Sequence, residues 1–332
     1  MASPEGGGVV ASFTSQAIGG VEDLRQKVHG ADVSVTQLTA DPCRGSLFHT
    51  VFDDMAITRG HFTGDLRIRG VMAHDAVTLG LILEQTQGLS EWGHETRAGD
   101  LLVFPPGNEQ EARYKGSTRY AALKIPMDLL LRRAEAYGRL GEEALWRSGM
   151  RLSPPGSAML RRDVAGCLSV LAKLGPELSA RAVLAARDDL VERCLSAAAS
   201  SFDLDQGPQP WINSARILRQ VEDYLDGQRN RQVNVLDICE ALALSRRTLH
   251  RAFHDVLDMG PKTYLRLRSL SAARKALTDG RRLGASVTQV ALDHGFWELG
   301  RFSVTYRQMF GESPSQTLRG HRLTEARSFA AE

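Results

Sequence analysis

A chain of 332 residues, 42% hydrophobic and 24% charged, can bury a sizeable core and is long enough for two domains, which excludes a small disulfide-stapled scaffold. No stretch approaches the roughly 20 uninterrupted apolar residues that a membrane span needs, which argues against a membrane protein. The net charge of +2 hides an asymmetry: residues from 213 onward carry 19 Lys and Arg against 13 Asp and Glu, a balance of +6, and leave −4 upstream. A basic C-terminal part suits a polyanion such as double-stranded DNA, although many solvated helical surfaces are equally basic.

The opening residues MASPEGGGVVAS lack the basic and apolar regions of a secretory leader, and residues 1–20 are expected to be a disordered terminus. Residues 21–199 are expected to form an α+β domain. Within it, the runs LFHTVF, LRIRGVM, VTLGLIL, DLLVF and RYAALKI, between about 38 and 124, alternate with Gly, Pro and Asp turns and predict a β-rich barrel or sandwich. The segment Gly99–Gln110, GDLLVFPPGNEQ, has the G-x5-P-x-G spacing of a cupin motif. However, Gln110 stands where a metal-binding His is expected, no H-x-H lies upstream, and His61, His74 and His94 are isolated. A cupin-like barrel with Gly99 and Gly107 as turn residues and no metal or other cofactor is the expectation. From about 126 to 199 the pattern turns helical. Val183, Leu184, Leu190, Val191, Cys194, Leu195 and Ala198 form a stripe suited either to packing within the domain or to dimerisation. Cys43, Cys167, Cys194 and Cys239 are scattered, without a C-x-x-C pair, and read as buried inert thiols in a reducing cytoplasm.

Residues 200–212, centred on SSFDLDQGPQPW, read as a linker, and a helical domain is expected over 213–325. An internal repeat organises it. Val235, Ile238, Cys239 and Leu244 recur 52 positions later as Val287, Val290, Ala291 and Phe296. Leu249, Phe253, Leu257, Pro261 and Leu265 recur 53 positions later as Phe302, Tyr306, Phe310, Pro314 and Leu318, so the extra residue falls in the turn. Each copy has the logic of a helix-turn-helix. In the first, Ser245 is the expected N-cap of a helix whose Leu249, Ala252, Phe253 and Val256 face inward, while Arg246, Arg247, His250, Arg251 and His254 face outward. Guanidinium forks at that place can bond guanine edges or clamp phosphates; a merely solvated basic face is the alternative. In the second, Gly295 makes the bend and Phe302, Tyr306, Met309 and Phe310 point inward. Gly300, Arg301, Ser303, Val304, Arg307 and Gln308 lie outside, with Arg301 the candidate for bases and Arg307 for phosphate. Pro261 and Gly280 bracket a helix of about 19 residues, or roughly 28 Å, a suitable spacer for recognition helices that enter successive major-groove segments about 34 Å apart. A shorter separation would require bent DNA.

Over Asn213–Arg322, including LSRRTLHRAF and the run VTQVALDHGFWELGRFSVTYRQMFGESPSQTL, the chain resembles the AraC/XylS family of transcription regulators, and within it the branch that includes the ethanolamine-utilisation activator. The resemblance implies DNA contacts at Arg247, His250 and Arg251 in the first unit and at Leu299, Gly300, Arg301 and Ser303 in the second. Val304 departs from relatives that have a base-reading Arg, and apolar contact with a thymine methyl is the substitute. The resemblance further implies an effector-binding or dimerising N-terminal domain, an operator or promoter as target, RNA polymerase as a partner and a homodimer. It implies no enzymatic activity. Arg59, Trp92 and Phe104 are the candidate effector contacts, each also readable as a core ring or surface charge. The competing readings are a metal-dependent cupin enzyme with a DNA-binding tail, and a regulator controlled by a protein partner on the helix from Ala180 to Ala199.

Overall fold

The computed structural model describes residues 11–27, 31–52, 54–202, 213–228, 233–279 and 286–319. The chain divides into two compact units. The first comprises Met1–Val35, Cys43–Thr63 and Ile68–Pro210, and the second Thr36–Pro42, Gly64–Arg67 and Trp211–Glu332.

The N-terminal region is β-rich, with strands β1 (Ala11–Ile18), β2 (Ala31–Gln37), β3 (Arg44–Phe52), β4 (Ala56–Thr63), β5 (Leu66–Met72), β6 (Ala76–Gln85), β7 (Gly88–Glu91), β8 (His94–Thr96), β9 (Leu101–Phe104), β10 (Glu109–Lys115), β11 (Ser117–Pro126) and β12 (Met150–Leu152). They form a seven-stranded sheet, β1-β3-β4-β11-β6-β9-β12, and a five-stranded sheet, β2-β5-β10-β7-β8. The helices are α1 (Val21–Lys27), α2 (Met127–Ala134), α3 (Glu143–Trp146), α4 (Ser157–Leu174) and α5 (Ala180–Phe202).

The pleat of the seven-stranded sheet assigns its two faces different work. Successive side chains point to opposite sides of a strand. Ile57, Val77, Leu79, Leu81, Leu83, Leu123 and Ile125 form one core with Leu130 of α2, Val164, Leu168 and Leu171 of α4, and Leu190, Cys194 and Leu195 of α5. The alternate residues Ala56, Thr58, Thr78, Gly80, Ile82, Ala122 and Lys124 turn the other way and line a cavity. Both faces of β6 are therefore covered, which is why its run AVTLGLIL is buried throughout and has Thr78 as its one polar side chain instead of a regular alternation.

Two sequence expectations need correction here. Residues 1–20 are not wholly disordered, because 11–18 form β1, paired antiparallel with β3 from Ala11↔Phe52 to Ile18↔Gly45. The β region is also wider than 38–124, since β1 and β2 precede it and β12, inside the expected helical stretch, pairs with β9. Of the two roles open to the apolar stripe of α5, the structure shows packing within its own unit: Val183, Leu190, Val191, Cys194, Leu195 and Ala198 are buried in the core and Leu184 is partly buried against it, which leaves the six buried side chains unavailable to a dimer or protein partner. The helix runs on to Phe202, and the rest of the expected linker, 203–212, lies outside the described residues.

All four cysteines are free. Burial pushes the thiols of Cys43 and Cys194 up to about 12 and raises that of Cys167, which disfavours the reactive thiolate in each.

The second unit is helical, with α6 (Asn213–Gly227), α7 (Val235–Ala241), α8 (Arg246–Leu257), α9 (Pro261–Asp279), α10 (Val287–Asp293) and α11 (Leu299–Phe310), followed by helical residues 314–319. It has two cores. Leu218 and Val221 of α6, Ile238 and Cys239 of α7, Leu249 and Phe253 of α8 and Tyr264 of α9 make the first. Leu270, Ala273 and Leu277 of α9, Val290 and Ala291 of α10 and Phe302 and Tyr306 of α11 make the second. The single helix α9 thus belongs to both, at the 19-residue length expected from sequence; Gly280, its expected stop, lies outside the described residues.

Each core is keyed by an edge-on aromatic pair, Phe253 against Tyr264 at 5.4 Å and Phe302 against Tyr306 at 5.5 Å. Beneath the first, Arg67 and Glu222, both almost fully buried, form a two-pronged ion pair at 2.9 and 3.2 Å that the Tyr264 hydroxyl joins by donating to Glu222. Phe253→Ala and Phe302→Ala should each destabilise the chain by roughly 3–5 kcal/mol through cavity formation, read as a lowered denaturation midpoint.

Candidate nucleic-acid interface

The two helix-turn-helix units are built alike down to individual backbone bonds. Asn234 caps α7, accepting from the amides of Leu236 and Asp237, and Ser286 caps α10, accepting from that of Gln289. At the far ends, Ala243 and Gly295 both take left-handed backbone conformations, with φ of 51° and 85°. That geometry returns the chain so that the Leu244 amide donates to the Cys239 carbonyl and the Phe296 amide to the Ala291 carbonyl, each at 2.9 Å. Leu244 and Phe296 then pack against the two cores as turn anchors.

Beyond the turns the copies diverge. Ser245 caps α8 by accepting from the Thr248 amide at 3.0 Å, whereas Glu298, the corresponding residue before α11, makes no side-chain cap. Glu298 instead pairs with Arg301 at 3.3 Å on an open surface. The extra residue in the second turn is Trp297, which follows the anchor Phe296 and precedes Glu298.

On α8, Leu249, Ala252, Phe253, Val256 and Leu257 are buried, and Arg246, Arg247, His250, Arg251 and His254 are all exposed. On α11, Phe302, Tyr306 and Met309 are buried, and Gly300, Arg301, Ser303, Val304, Arg307 and Gln308 are exposed. The spacing 300, 304, 307 and 308 places one continuous ridge on the outer side of α11.

The candidate effector residues are dispersed. Phe104 lines the cavity. Arg59 is the wrong face of β4: it is one residue from the cavity-lining Thr58, so the pleat turns it to the helix layer, where it donates to Ser169 of α4 at 3.1 Å and lies 5.7 Å from the Phe48 ring. Burial there lowers its pKa, as does the nearby Arg119. Trp92 is a core ring, packed on Phe104 with its indole N–H donating to the Glu109 carbonyl, and does not line the cavity.

The cavity holds about 340 Å³. Its floor follows the register: His49, Thr58, Ala122, Gly80 and Leu102 are cross-strand neighbours in one row over five strands, and the small residues Ala122 and Gly80 at its middle leave the space. Val33, Val35, Ile68, Met72, Gln110 and Tyr114 line it from the five-stranded sheet. The polar groups missed from sequence are His49, hydrogen-bonded to Thr58 at 2.8 Å; Tyr120, whose phenol burial pushes up to about 12; and Lys124, which pairs with Asp75 at 3.0 Å and holds that carboxyl below its usual range. Gln110 lines this space, and among the described residues no group of three or more His, Cys, Asp or Glu could hold a metal ion.

An apolar face keyed into a core opposite an exposed recognition face, built twice around equivalent turns, defines a DNA-binding transcription regulator with two helix-turn-helix units. Residues 21–196 match the family model of an AraC-binding-like domain and residues 238–320 that of a helix-turn-helix domain. The chain belongs to the AraC/XylS family of transcription regulators. It is 24% identical over 281 residues to XylDLEGF operon transcriptional activator 1 of Pseudomonas putida, covering 83% of this chain and 84% of that protein. It is 34% identical over 108 residues to the HTH-type transcriptional activator RhaS of Escherichia coli (strain SE11), covering 32% of this chain and 38% of that one. Among solved structures, the AraC-like transcriptional activator CuxR aligns over 80% of this chain and 96% of its own at 17% identity, with a TM-score of 0.43.

The turns themselves yield a test. An L-residue held left-handed costs about 1–2 kcal/mol, and Ala243 bears that cost where Gly295 does not. Ala243→Gly should therefore raise stability by roughly 0.5–1 kcal/mol and Gly295→Ala should lower it by about 1–2 kcal/mol, both measured by urea denaturation.

Proposed function

We propose that the protein is a sequence-specific transcription activator whose α8 and α11 enter two adjacent major-groove segments of a promoter, under the control of a small molecule held in the N-terminal cavity. The observation that carries the DNA part is the two-sidedness of α8: every inward position is apolar and buried, and the outward positions present three arginines and two histidines. A solvated helix needs no such concentration, whereas a groove lined by phosphates and guanine edges rewards it. Arg247, His250 and Arg251 are assigned to bases or the adjoining backbone, Arg246 and His254 to flanking phosphates, Arg301 and Ser303 to the second segment, and Arg307 to phosphate.

The cavity supports the effector part. It lies between two sheets, is mostly apolar, and is furnished with a few polar groups that can fix a ligand's orientation. Such a ligand acts only through unequal affinity for two arrangements of the protein. The relatives named as activators support activation over repression, and contact with RNA polymerase, a homodimeric state and a cytoplasmic setting belong to the same reading. No helix among the described residues is long and apolar enough to cross a membrane.

Arg247→Ala and Arg251→Ala should each weaken binding to the selected operator by roughly 1–3 kcal/mol at matched salt, with unchanged circular dichroism. Unaltered affinity in both would remove α8 from the interface. Filling the cavity with Ala122→Phe should abolish the response to inducer in a reporter strain while operator binding by the purified protein persists; a retained response would place the effector elsewhere.

A further inference from the structure

The two recognition helices are unlike in chemistry. Where the exposed face of α8 is cationic, the surface leading into and along α11 mixes polar side chains with exposed apolar ones: Trp297 is 71% exposed, Val304 58% and Leu299 38%. Trp297 is also the residue by which the second turn exceeds the first. A helix-turn-helix closes without it, as Ala243, Leu244 and Ser245 demonstrate, so the fold does not require this ring. Isolated surface hydrophobics need no explanation, but here Trp297 and Leu299 stand at the start of one recognition helix and Val304 on its outer ridge.

Gly300 supplies a second, independent observation. It stands one turn before Val304 on the same ridge, and a Cβ built there meets nothing within 4 Å. Internal packing thus leaves room for a side chain that would strengthen the helix. A bare backbone at this place is explained by something outside that must come close. Arg307 is exposed on the same ridge, and Arg301 is exposed beside it in an open pair with Glu298 at 3.3 Å, so the net charge around these side chains is positive and suits a polyanion better than an apolar protein surface.

From these observations we infer that the second unit reads thymine methyl groups: Val304, assisted by Trp297, packs on the C5-methyls of a T-rich half-site, with Gly300 permitting close approach of α11 to the groove floor. The methyl is the only apolar feature of a base pair's major-groove edge, so it is the chemistry that an exposed Val and Trp can recognise there. The inference rests on the reading that α11 enters DNA. It assigns the two half-sites different readouts, polar hydrogen-bonding by α8 and apolar contact by α11.

The test uses duplexes enriched by the full-length chain from a random double-stranded pool, with each thymine then replaced singly by uracil, which removes only the methyl. Uracil at one or two positions in the half-site protected by α11 should weaken binding about four- to fifteenfold, the scale of one buried methyl group or two. Val304→Ala should show a loss of that size on the thymine duplex and little further loss on the uracil one, and Gly300→Ala should lower affinity without lowering the melting temperature. If every uracil duplex binds as well as its parent while Arg251→Ala still loses affinity, methyl readout is wrong and the DNA-binding reading stands. If no sequence is enriched at all, the reading beneath it falls as well.

Discussion

The structure of the DNA-binding unit depends on one constraint, the seating of an aromatic ring from each recognition helix in a closed core. Phe253 and Phe302 are buried to within 2% of full enclosure, each against a tyrosine ring, and a 12-residue helix pinned by such a contact has only one rotation about its axis. Once that rotation is set, residues offset by half a helical turn must face solvent. The outward display of Arg247 and Arg251 on α8, or of Gly300 and Val304 on α11, is therefore a consequence of what is buried on the other side. The backbone bonds from Leu244 to Cys239 and from Phe296 to Ala291 set where each helix begins, so rotation and origin are both fixed before any DNA arrives.

The N-terminal sheet solves a related problem with a different period. Its strands separate two tasks by parity. One set of side chains fuses the sheet to α2, α4 and α5, and the alternating set borders an internal space. Because each strand serves both faces, a ligand pressing on Thr58, Ala122 or Gly80 acts on the backbone that carries Ile57, Leu79 and Leu123. Close-packed interiors transmit such displacements, because they have few voids to absorb them. That is a physical route by which occupancy of the space can reach the helices behind the sheet.

How much of this was legible in the sequence varied with the range of the interactions. The repeat was readable because its content is local: apolar spacing, turn position and a following proline lie within 30 residues of one another, and the sidedness of α8 and α11 follows from them. The cavity was not readable. Which parity of β4, β6 and β11 faces inward depends on partners far along the chain, and a strand buried on both faces, such as β6, carries no alternation to reveal it. Arg59 was lost to that ambiguity, one residue away from Thr58. The strand β1 was missed because ASFTSQAI has few large apolar side chains and derives its structure from pairing with β3. The unmatched residue in the second turn was visible as a shift from 52 to 53 positions, yet its identity as Trp297 emerged only once the helix start was fixed at Leu299.

The membership of α9 in both cores has a consequence for the DNA rather than the protein. Tyr264 near one end is locked into the first core and Leu270, Ala273 and Leu277 into the second, so no loop lies between the units to stretch or swivel. Each added base pair turns a duplex by about 35°, and a rigid connector offers no torsional slack to follow it. Under the proposed reading, target sites tolerate changes of letter at a graded loss for each mismatch but not insertions or deletions between the two segments: the phasing of the site is then inherited from the helix.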